Sequence, residues 1–182
     1  MFNYLRTNLK LLLQSPKDYL YSFIYIGNET VKIKKFNPKH LVCANKLMQK
    51  IKKVCPDLTL YLIGSVALRI EGMGDIDLYA STPLDKFPQV SQCLTKLFGK
   101  PLKIRRRHIV WGFKYQHIST ELELTDPDDK TLRTQLRLFN LLKNNPCYLQ
   151  EYRTLKNNLN NHPQLDYVRK RMEFFNRILA EK

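Results

Sequence analysis

Apolar residues along the chain repeat with two periods, one typical of helices and one typical of strands. Spacings of three and four predict helices at residues 1–28, 38–54, 84–98, 132–143, 148–159 and 167–182. Short apolar or alternating runs predict strands at residues 30–36, 58–63, 76–79, 103–107, 109–115 and 120–125. Strands mixed with helices, followed by helices alone, are typical of an α+β or mixed α/β fold.

Composition narrows the class of protein. Of the 182 residues, 43% are hydrophobic, which is enough for a packed core and argues against a disordered chain. No apolar run approaches the roughly 18 residues that a membrane-spanning helix needs. The first residues also lack the order of a secretory signal. We therefore expect a cytoplasmic protein.

Positive charge is both large and localised. The chain has 31 lysines and arginines against 16 acidic residues, a formal net charge of +15. Residues 31–55 contain eight lysines and residues 99–120 contain six basic residues, and neither segment contains an acid. Because such segments attract phosphate groups, residues 31–55 and 100–114 are candidate contacts for RNA. A solvated surface that serves only solubility explains the charge equally well.

The most informative stretch of the sequence joins a Gly-Ser turn to a pair of aspartates. Gly64 and Ser65 follow a predicted strand, and after nine further residues come Asp75 and Asp77. Alternate residues of a strand share a face, so the two carboxylates project together, and their repulsion favours a cation between them. Gly64 lets the backbone approach a ligand, and free N–H groups at the start of a helix suit phosphate. A phosphate-binding turn beside a pair of metal-binding carboxylates is typical of enzymes that transfer phosphoryl or nucleotidyl groups.

A second acidic pair lies on the last predicted strand. Within residues 120–124, Glu121 and Glu123 share one face of the strand, and two leucines share the other. Acidic residues are uncommon in strands, which favours one of them as a third carboxylate beside the aspartates. The alternative interpretation is an exposed edge strand whose wet face is acidic.

These residues resemble the signature of the DNA polymerase β-like nucleotidyltransferase superfamily. The resemblance implies an α+β fold with a short mixed sheet flanked by helices. It also implies two Mg²⁺ ions held by three carboxylates, with Mn²⁺ as an alternative. The implied site residues are the catalytic Asp75, Asp77, Glu121 and Glu123 and the phosphate-binding Gly64 and Ser65. Arg69, one turn past Ser65, is a further candidate for phosphate binding, and a solvent-facing arginine explains it equally well. Asp75, Asp77 and Glu121 are the expected metal ligands, with Glu123 as the alternative third ligand. Glu121 is favoured because several strand residues usually follow the third carboxylate in this superfamily.

The layout of the remaining chain is similar to that of the GrpB-like family within this superfamily. Asn37-Pro38, before the helix that leads to the Gly-Ser strand, resembles the start of that family, and the EYxxLK pattern at residues 151–156 resembles its helical end. GrpB-like chains tend to carry His-x-His where this chain has Glu121 and Glu123. In this respect the chain resembles the general superfamily pattern, in which a carboxylate completes the metal site. The resemblance implies three regions, a helical extension, a core and C-terminal helices, at residues 1–29, 30–127 and 128–182.

The function implied by the resemblance is metal-dependent transfer of a nucleotidyl group from a nucleoside triphosphate to an acceptor hydroxyl. The acceptor class stays open between RNA, protein and a small molecule, because toxin-linked transferases that modify proteins have similar motif spacing. An alternative from another class is an inactive module of this fold that binds RNA or nucleotide through its basic face. Trp111, Phe113 and Tyr115 alternate along a basic strand. They either stack on bases or face the core, and their period of two favours the core.

Overall fold

Strands and helices are mixed between Pro38 and Thr125, and helices alone follow from Lys130 to Ala180. The computed structural model describes residues 29–181, so the helices predicted at residues 1–28 and the implied extension lie outside the described residues. Its strands are β1 (Thr59–Ile63), β2 (Ile76–Ser81), β3 (Lys103–Arg105), β4 (His108–Tyr115) and β5 (Ile118–Thr125). Its α-helices are α1 (Pro38–Val54), α2 (Gly64–Leu68), α3 (Phe87–Phe98), α4 (Lys130–Asn144), α5 (Pro146–Asn158) and α6 (Gln164–Ala180). A single 3₁₀ turn, Leu84–Lys86, precedes α3.

Local sequence signals account for where the helices begin and end. The Asn37 side chain accepts a hydrogen bond from the Lys39 N–H at 3.0 Å, and proline occupies the first position of α1. Asn145 caps α5 in the same way. Gly99 ends α3 with a φ of 82°, a conformation that glycine adopts without strain. The helices predicted from residue 38 onward are therefore confirmed.

The five strands form one mixed sheet in the order β1-β2-β5-β4-β3. Strands β2 and β5 are parallel, whereas the other neighbours are antiparallel. This arrangement confirms the expected α+β class with a short mixed sheet flanked by helices. It also places β5 in the centre of the sheet, beside the strand that carries Asp77.

The two faces of the sheet are covered by different helices. On one face, Leu78 and Leu122 pack in a core with residues of α1 and α3. Trp111 is fully buried in that core, and its Nε1 donates to the Gly99 carbonyl at 3.2 Å. The core interpretation of this tryptophan is thus confirmed. On the other face, Tyr79 packs with Leu132 at the start of α4, so the C-terminal helices cover the side of the sheet that carries the carboxylates.

The strand predicted over residues 30–36 is wrong. This segment forms only isolated bridges, one between Thr30 and Pro163 and one between Lys34 and Gly72. The Lys34 N–H donates to the Gly72 carbonyl at 2.8 Å, so the segment bonds to two loops rather than to a sheet neighbour. It ties the loop between α5 and α6 to the loop that leads into β2.

Candidate active site

The Asp77 side chain lies directly against the backbone of Gly64. Strands β1 and β2 pair Ile63 with Asp77, which brings the residue after Ile63 beside the carboxylate. Gly64 has a φ of 73°, and a Cβ atom added to it would lie 2.1 Å from Asp77 Oδ2. The carboxylate therefore occupies space that any other residue at position 64 would fill, and the Gly-Ser turn and the aspartate form one unit.

Glu121 is the neighbour of Asp77 on the adjacent strand. The parallel register pairs Asp77 with Glu121 and Tyr79 with Glu123, so all four side chains are on the same face of the sheet. Asp77 and Glu121 are 9% and 7% exposed. Because β5 is central and its glutamates are buried, the alternative interpretation of an exposed acidic edge strand is wrong.

Glu123 is held by a buried histidine. His108 Nε2 lies 2.7 Å from Glu123 Oε2, and both residues are buried. Burial, with further contributions from Glu123 and Glu121, raises the pKa of Tyr79 well above its ordinary value, so its hydroxyl stays protonated. The Glu123 carboxylate thus contacts protein groups and belongs to the interior of the sheet layer.

A cavity of about 220 Å³ opens between α2, the start of β2 and the C-terminal helices. Gly64, Ser65, Asp75 and Asp77 are in its wall, so the structure brings together four of the predicted site residues. The two glutamates are not among its lining residues, although Glu121 pairs with Asp77. Arg69 is exposed at the end of α2, with a φ of 57°, and also lies outside the cavity wall.

A buried lysine of α5 reaches the same cavity. Lys156 is 3% exposed, and its ammonium group lies 4.9 Å from the centre of the Tyr152 ring. A Cβ added to Gly72 would lie 2.1 Å from Ser65 Oγ and 3.3 Å from Lys156 Nζ, so both groups crowd around that glycine. Burial lowers the pKa of Lys156 to about 8, while the charges of Asp75 and Asp77 oppose the shift.

Arg171 of α6 is a second cation in the cavity wall. Its guanidinium lies 5.4 Å from the centre of the Tyr167 ring and 5.8 Å from that of Phe175. Its Nε atom is buried and has no hydrogen-bond partner in the described structure. Burial lowers the pKa of Arg171, but Tyr167 and Tyr152 more than offset that effect, so the pKa rises and the charge is retained.

Sequence reasoning missed both cations as site residues. Lys156 is the last residue of the EYxxLK pattern at residues 151–156, and this motif was the available signal. Arg171 lies in a helix with several other basic residues, and nothing in its sequence neighbourhood distinguishes it. Both become notable only because the fold places them, Lys156 buried and Arg171 partly buried, in one cavity wall with Asp75 and Asp77.

The donor chemistry of the aspartate pair fits a hard divalent cation such as Mg²⁺. Carboxylate oxygens are its usual protein ligands, and Mg²⁺ is commonly bound by one or two carboxylates together with substrate phosphates. Within residues 29–181, no group of three or more His, Cys, Asp and Glu side chains stands together as a metal site. Asp75 and Asp77 are two such carboxylates in one cavity wall.

The chain is similar to solved structures of Cid1. A structure described as showing RNA terminal uridylyl transferase activity has a TM-score of 0.43 and 14% identity, over 70% of this chain and 44% of that chain. Two structures of Cid1 poly(U) polymerase, one bound to MgGTP and one a mutant bound to MgATP, have TM-scores of 0.41 and 0.42 and identities of 14% and 16%. They match over 70% of this chain and 46% and 45% of theirs, so the chain spans less than half of their length.

No protein-family model and no curated protein matches the sequence. The resemblance to the GrpB-like family therefore depends on the sequence motifs alone. Among the helices of residues 29–181, none is both long and apolar enough to cross a membrane.

Proposed function

We propose that this chain transfers a nucleotidyl group from a nucleoside triphosphate to an acceptor hydroxyl. The observation that supports the proposal is the common position of Asp75, Asp77 and Lys156 in the wall of one cavity. Two carboxylates suit a divalent cation, and a buried ammonium group suits phosphate oxygens. Nucleotidyl transfer needs both kinds of group within reach of one substrate.

Each residue has a distinct role in the proposed reaction. Asp75 and Asp77 would hold Mg²⁺ together with the substrate phosphates, and Glu121, the strand neighbour of Asp77, would complete the carboxylate set. When bound, the metal ion stabilises the negative charge that develops on the transferred phosphoryl group. Lys156 and Arg171 would neutralise the leaving pyrophosphate, with Gly64 and Ser65 beside it.

Substitution of the aspartates tests the proposal. Asp75→Asn and Asp77→Asn should each abolish Mg²⁺-dependent turnover of labelled nucleoside triphosphates. Each should leave the thermal midpoint unchanged or slightly higher without metal, because the substitution removes repulsion between two like charges. Asp85→Asn is the matched control, since Asp85 is exposed in the 3₁₀ turn and outside the cavity wall. Turnover near the wild-type rate in Asp77→Asn would exclude the proposed metal site.

A second candidate function is polyanion binding without turnover, and the surface of α1 favours it. Lys39, Lys46, Lys50 and Lys53 are all exposed, and their spacings of seven, four and three place them along one side of the helix. We name these four residues the α1 lysine stripe. A row of lysines on one helix side suits the phosphate backbone of RNA. A purified chain that binds RNA but consumes none of the four triphosphates with Mg²⁺ would favour this candidate.

A further inference from the structure

Three side-chain amides line the cavity: Gln164 lies at the start of α6, before Arg171, whereas Asn176 lies after Arg171 on the same helix and Gln135 is on α4. The two helices are joined near Gln135 and Asn176, because the Arg137 guanidinium donates to the Leu179 carbonyl at 2.9 Å. Gln135 precedes Arg137 by two residues, and Asn176 precedes Leu179 by about one helical turn. Gln135 and Asn176 therefore belong to the same end of the cavity.

The walls around these amides are apolar and partly aromatic. Phe139 of α4 and Phe175 of α6 line the cavity, together with leucines of both helices. Phe175 also lies at the edge of a ring cluster, 5.2 Å between ring centres from Tyr152. A planar ring that enters this end would find apolar faces on two sides and amide groups at its edge.

A cation of the cavity wall is a short distance along the same helix. Arg171 precedes Asn176 by five residues, which corresponds to about 7.5 Å along α6. Lys156, Asp75 and Asp77 line the cavity with Arg171. Along α6 the cavity wall therefore passes from Arg171 to Asn176, and the cavity combines cations and carboxylates with an apolar space that carries amides.

We infer that the space between α4 and α6 holds the nucleobase of the triphosphate and that Gln135 and Asn176 select the base. This inference rests on the proposed function and extends it to substrate selection. A side-chain amide presents a donor next to an acceptor, which matches the donor and acceptor patterns on base edges. The cavity volume of about 220 Å³ is below the roughly 300–1,000 Å³ of sites that enclose a drug-sized ligand. A cavity of this size has room for a single planar ring.

Equilibrium binding of the four triphosphates tests the inference apart from catalysis. Affinities are measured with Mg²⁺ and α,β-methylene analogues of ATP, GTP, CTP and UTP, and with inorganic tripolyphosphate as the probe without a base. Wild type should prefer one base, since a matched amide pair discriminates by about fivefold to a hundredfold. Gln135→Leu and Asn176→Leu should each remove most of that preference and leave tripolyphosphate affinity within about twofold of wild type.

Two further variants provide a control and a test of the hydrogen-bonding pattern. Gln49→Leu makes the same exchange on an exposed position of α1, across the sheet, and should behave as wild type. Gln135→Glu keeps the side-chain size but replaces the amide donor with an acceptor, and should change which base is preferred. Thermal midpoints of all variants show whether the fold is retained.

The outcomes separate the inference from the proposed function. Equal affinity of wild type for all four analogues, or an unchanged preference in both leucine variants, would overturn the inference. An equal loss of affinity for analogues and tripolyphosphate would also overturn it. The two proposals can also fail separately. A base preference that depends on Gln135 and Asn176 would support the inference, whereas turnover in Asp77→Asn would exclude the proposed metal site.

Discussion

At the scale of single residues, the candidate site depends on two glycines that leave room for functional atoms. The Asp77 carboxylate occupies the space that a side chain at position 64 would fill. Ser65 and Lys156 surround the corresponding space at Gly72. The contact at Gly64 lies within the Gly-Ser and aspartate motif, whereas the contact at Gly72 also brings in Lys156 from the distant helix α5. The identity of these glycines is therefore tied to the site, in addition to any requirement of the backbone.

The variants Gly64→Ala and Gly99→Ala distinguish the requirement of the site from the requirement of the backbone. Both glycines have positive φ, 73° and 82°, but a Cβ on Gly99 would meet nothing within 4 Å. Gly99→Ala should cost only backbone strain, about 1–3 kcal/mol of unfolding free energy. Gly64→Ala should cost about 1–3 kcal/mol more, because the methyl group displaces the Asp77 carboxylate, and it should also abolish turnover. Urea unfolding and the triphosphate assay measure the two effects, and equal stability losses would contradict the contact with Asp77.

The two glutamates of β5 should respond differently to substitution. Glu121→Gln should lower turnover about a hundredfold or more with little change in stability, because Glu121 is the neighbour of Asp77. Glu123→Gln should mainly lower stability, by about 1–3 kcal/mol, because it weakens the buried contact with His108. Kinetics at saturating Mg²⁺, with thermal melts, distinguish the two. A larger rate loss in Glu123→Gln would shift the third carboxylate by two residues along the strand.

How much of the site the sequence predicts depends on distance along the chain. Gly64, Ser65, Asp75 and Asp77 fall within one short motif, and the fold places all four in one cavity wall. Lys156 and Arg171 are about eighty and ninety-five residues away, and only the packing of α5 and α6 brings them to the same cavity. A basic residue is unremarkable in a chain with 31 of them until the fold buries it.

At the scale of elements, local periodicity was sufficient wherever an element packs by one face. Helix α4, for example, has an apolar side that contains Leu138 and Leu142, and its predicted and observed bounds agree closely. The segment at residues 30–36 alternates like a strand, yet its hydrogen bonds go to loops before β2 and after α5. Such partners depend on tertiary packing, which the pattern of a single segment does not contain.

An ion pair between α5 and the loop before β2 should make the free energy of unfolding depend on pH. Arg153 of α5 donates two hydrogen bonds, of 2.9 and 2.7 Å, to Glu71 in the loop before β2. These bonds lower the pKa of Glu71 from 4.5 to about 2. Because the folded state holds this proton less tightly than the unfolded state, the stabilisation is complete above pH 4.5 and is lost as the pH falls towards 2.

Arg153→Gln should therefore flatten the dependence of unfolding free energy on pH over that interval. Urea unfolding at several pH values between about 2 and 5 measures the slope. Arg169→Gln is the control, since Arg169 makes only an exposed pair with Asp166 one turn away. Equal slopes in wild type and Arg153→Gln would show that the pair does not stabilise the folded state.

At the scale of the whole molecule, the sheet separates two surfaces of different character. The carboxylates, the cavity and the C-terminal helices lie on one side, whereas α1 and its lysine stripe lie on the other. The stripe nevertheless begins near the site. A Cβ added to Gly74, just before Asp75, would lie 3.4 Å from the His40 ring at the start of α1. A strand of RNA that follows the stripe would thus reach the edge of the loop that carries Asp75.

Salt dependence tests whether the α1 lysine stripe binds RNA. Each phosphate contact on a single strand contributes about 0.7 to the slope of log affinity against log salt. Replacing Lys39, Lys46 and Lys50 with glutamine should therefore lower that slope by about 2 for a single-stranded RNA. The matched control replaces Lys143, Arg169 and Lys170, which are exposed on the C-terminal helices and carry the same total charge.

The comparison between these two triple variants decides between a defined RNA surface and a general effect of charge. Both lower the net charge by three, so a general attraction between a basic protein and a polyanion weakens equally in both. A defined contact along α1 loses slope only in the first variant. Arg105, Arg106 and Arg107, exposed near the edge strand β3, provide the second predicted contact, and the same exchange there should lower the slope further. Indistinguishable slopes in all three variants would show a general effect of charge and contradict a defined RNA surface on α1.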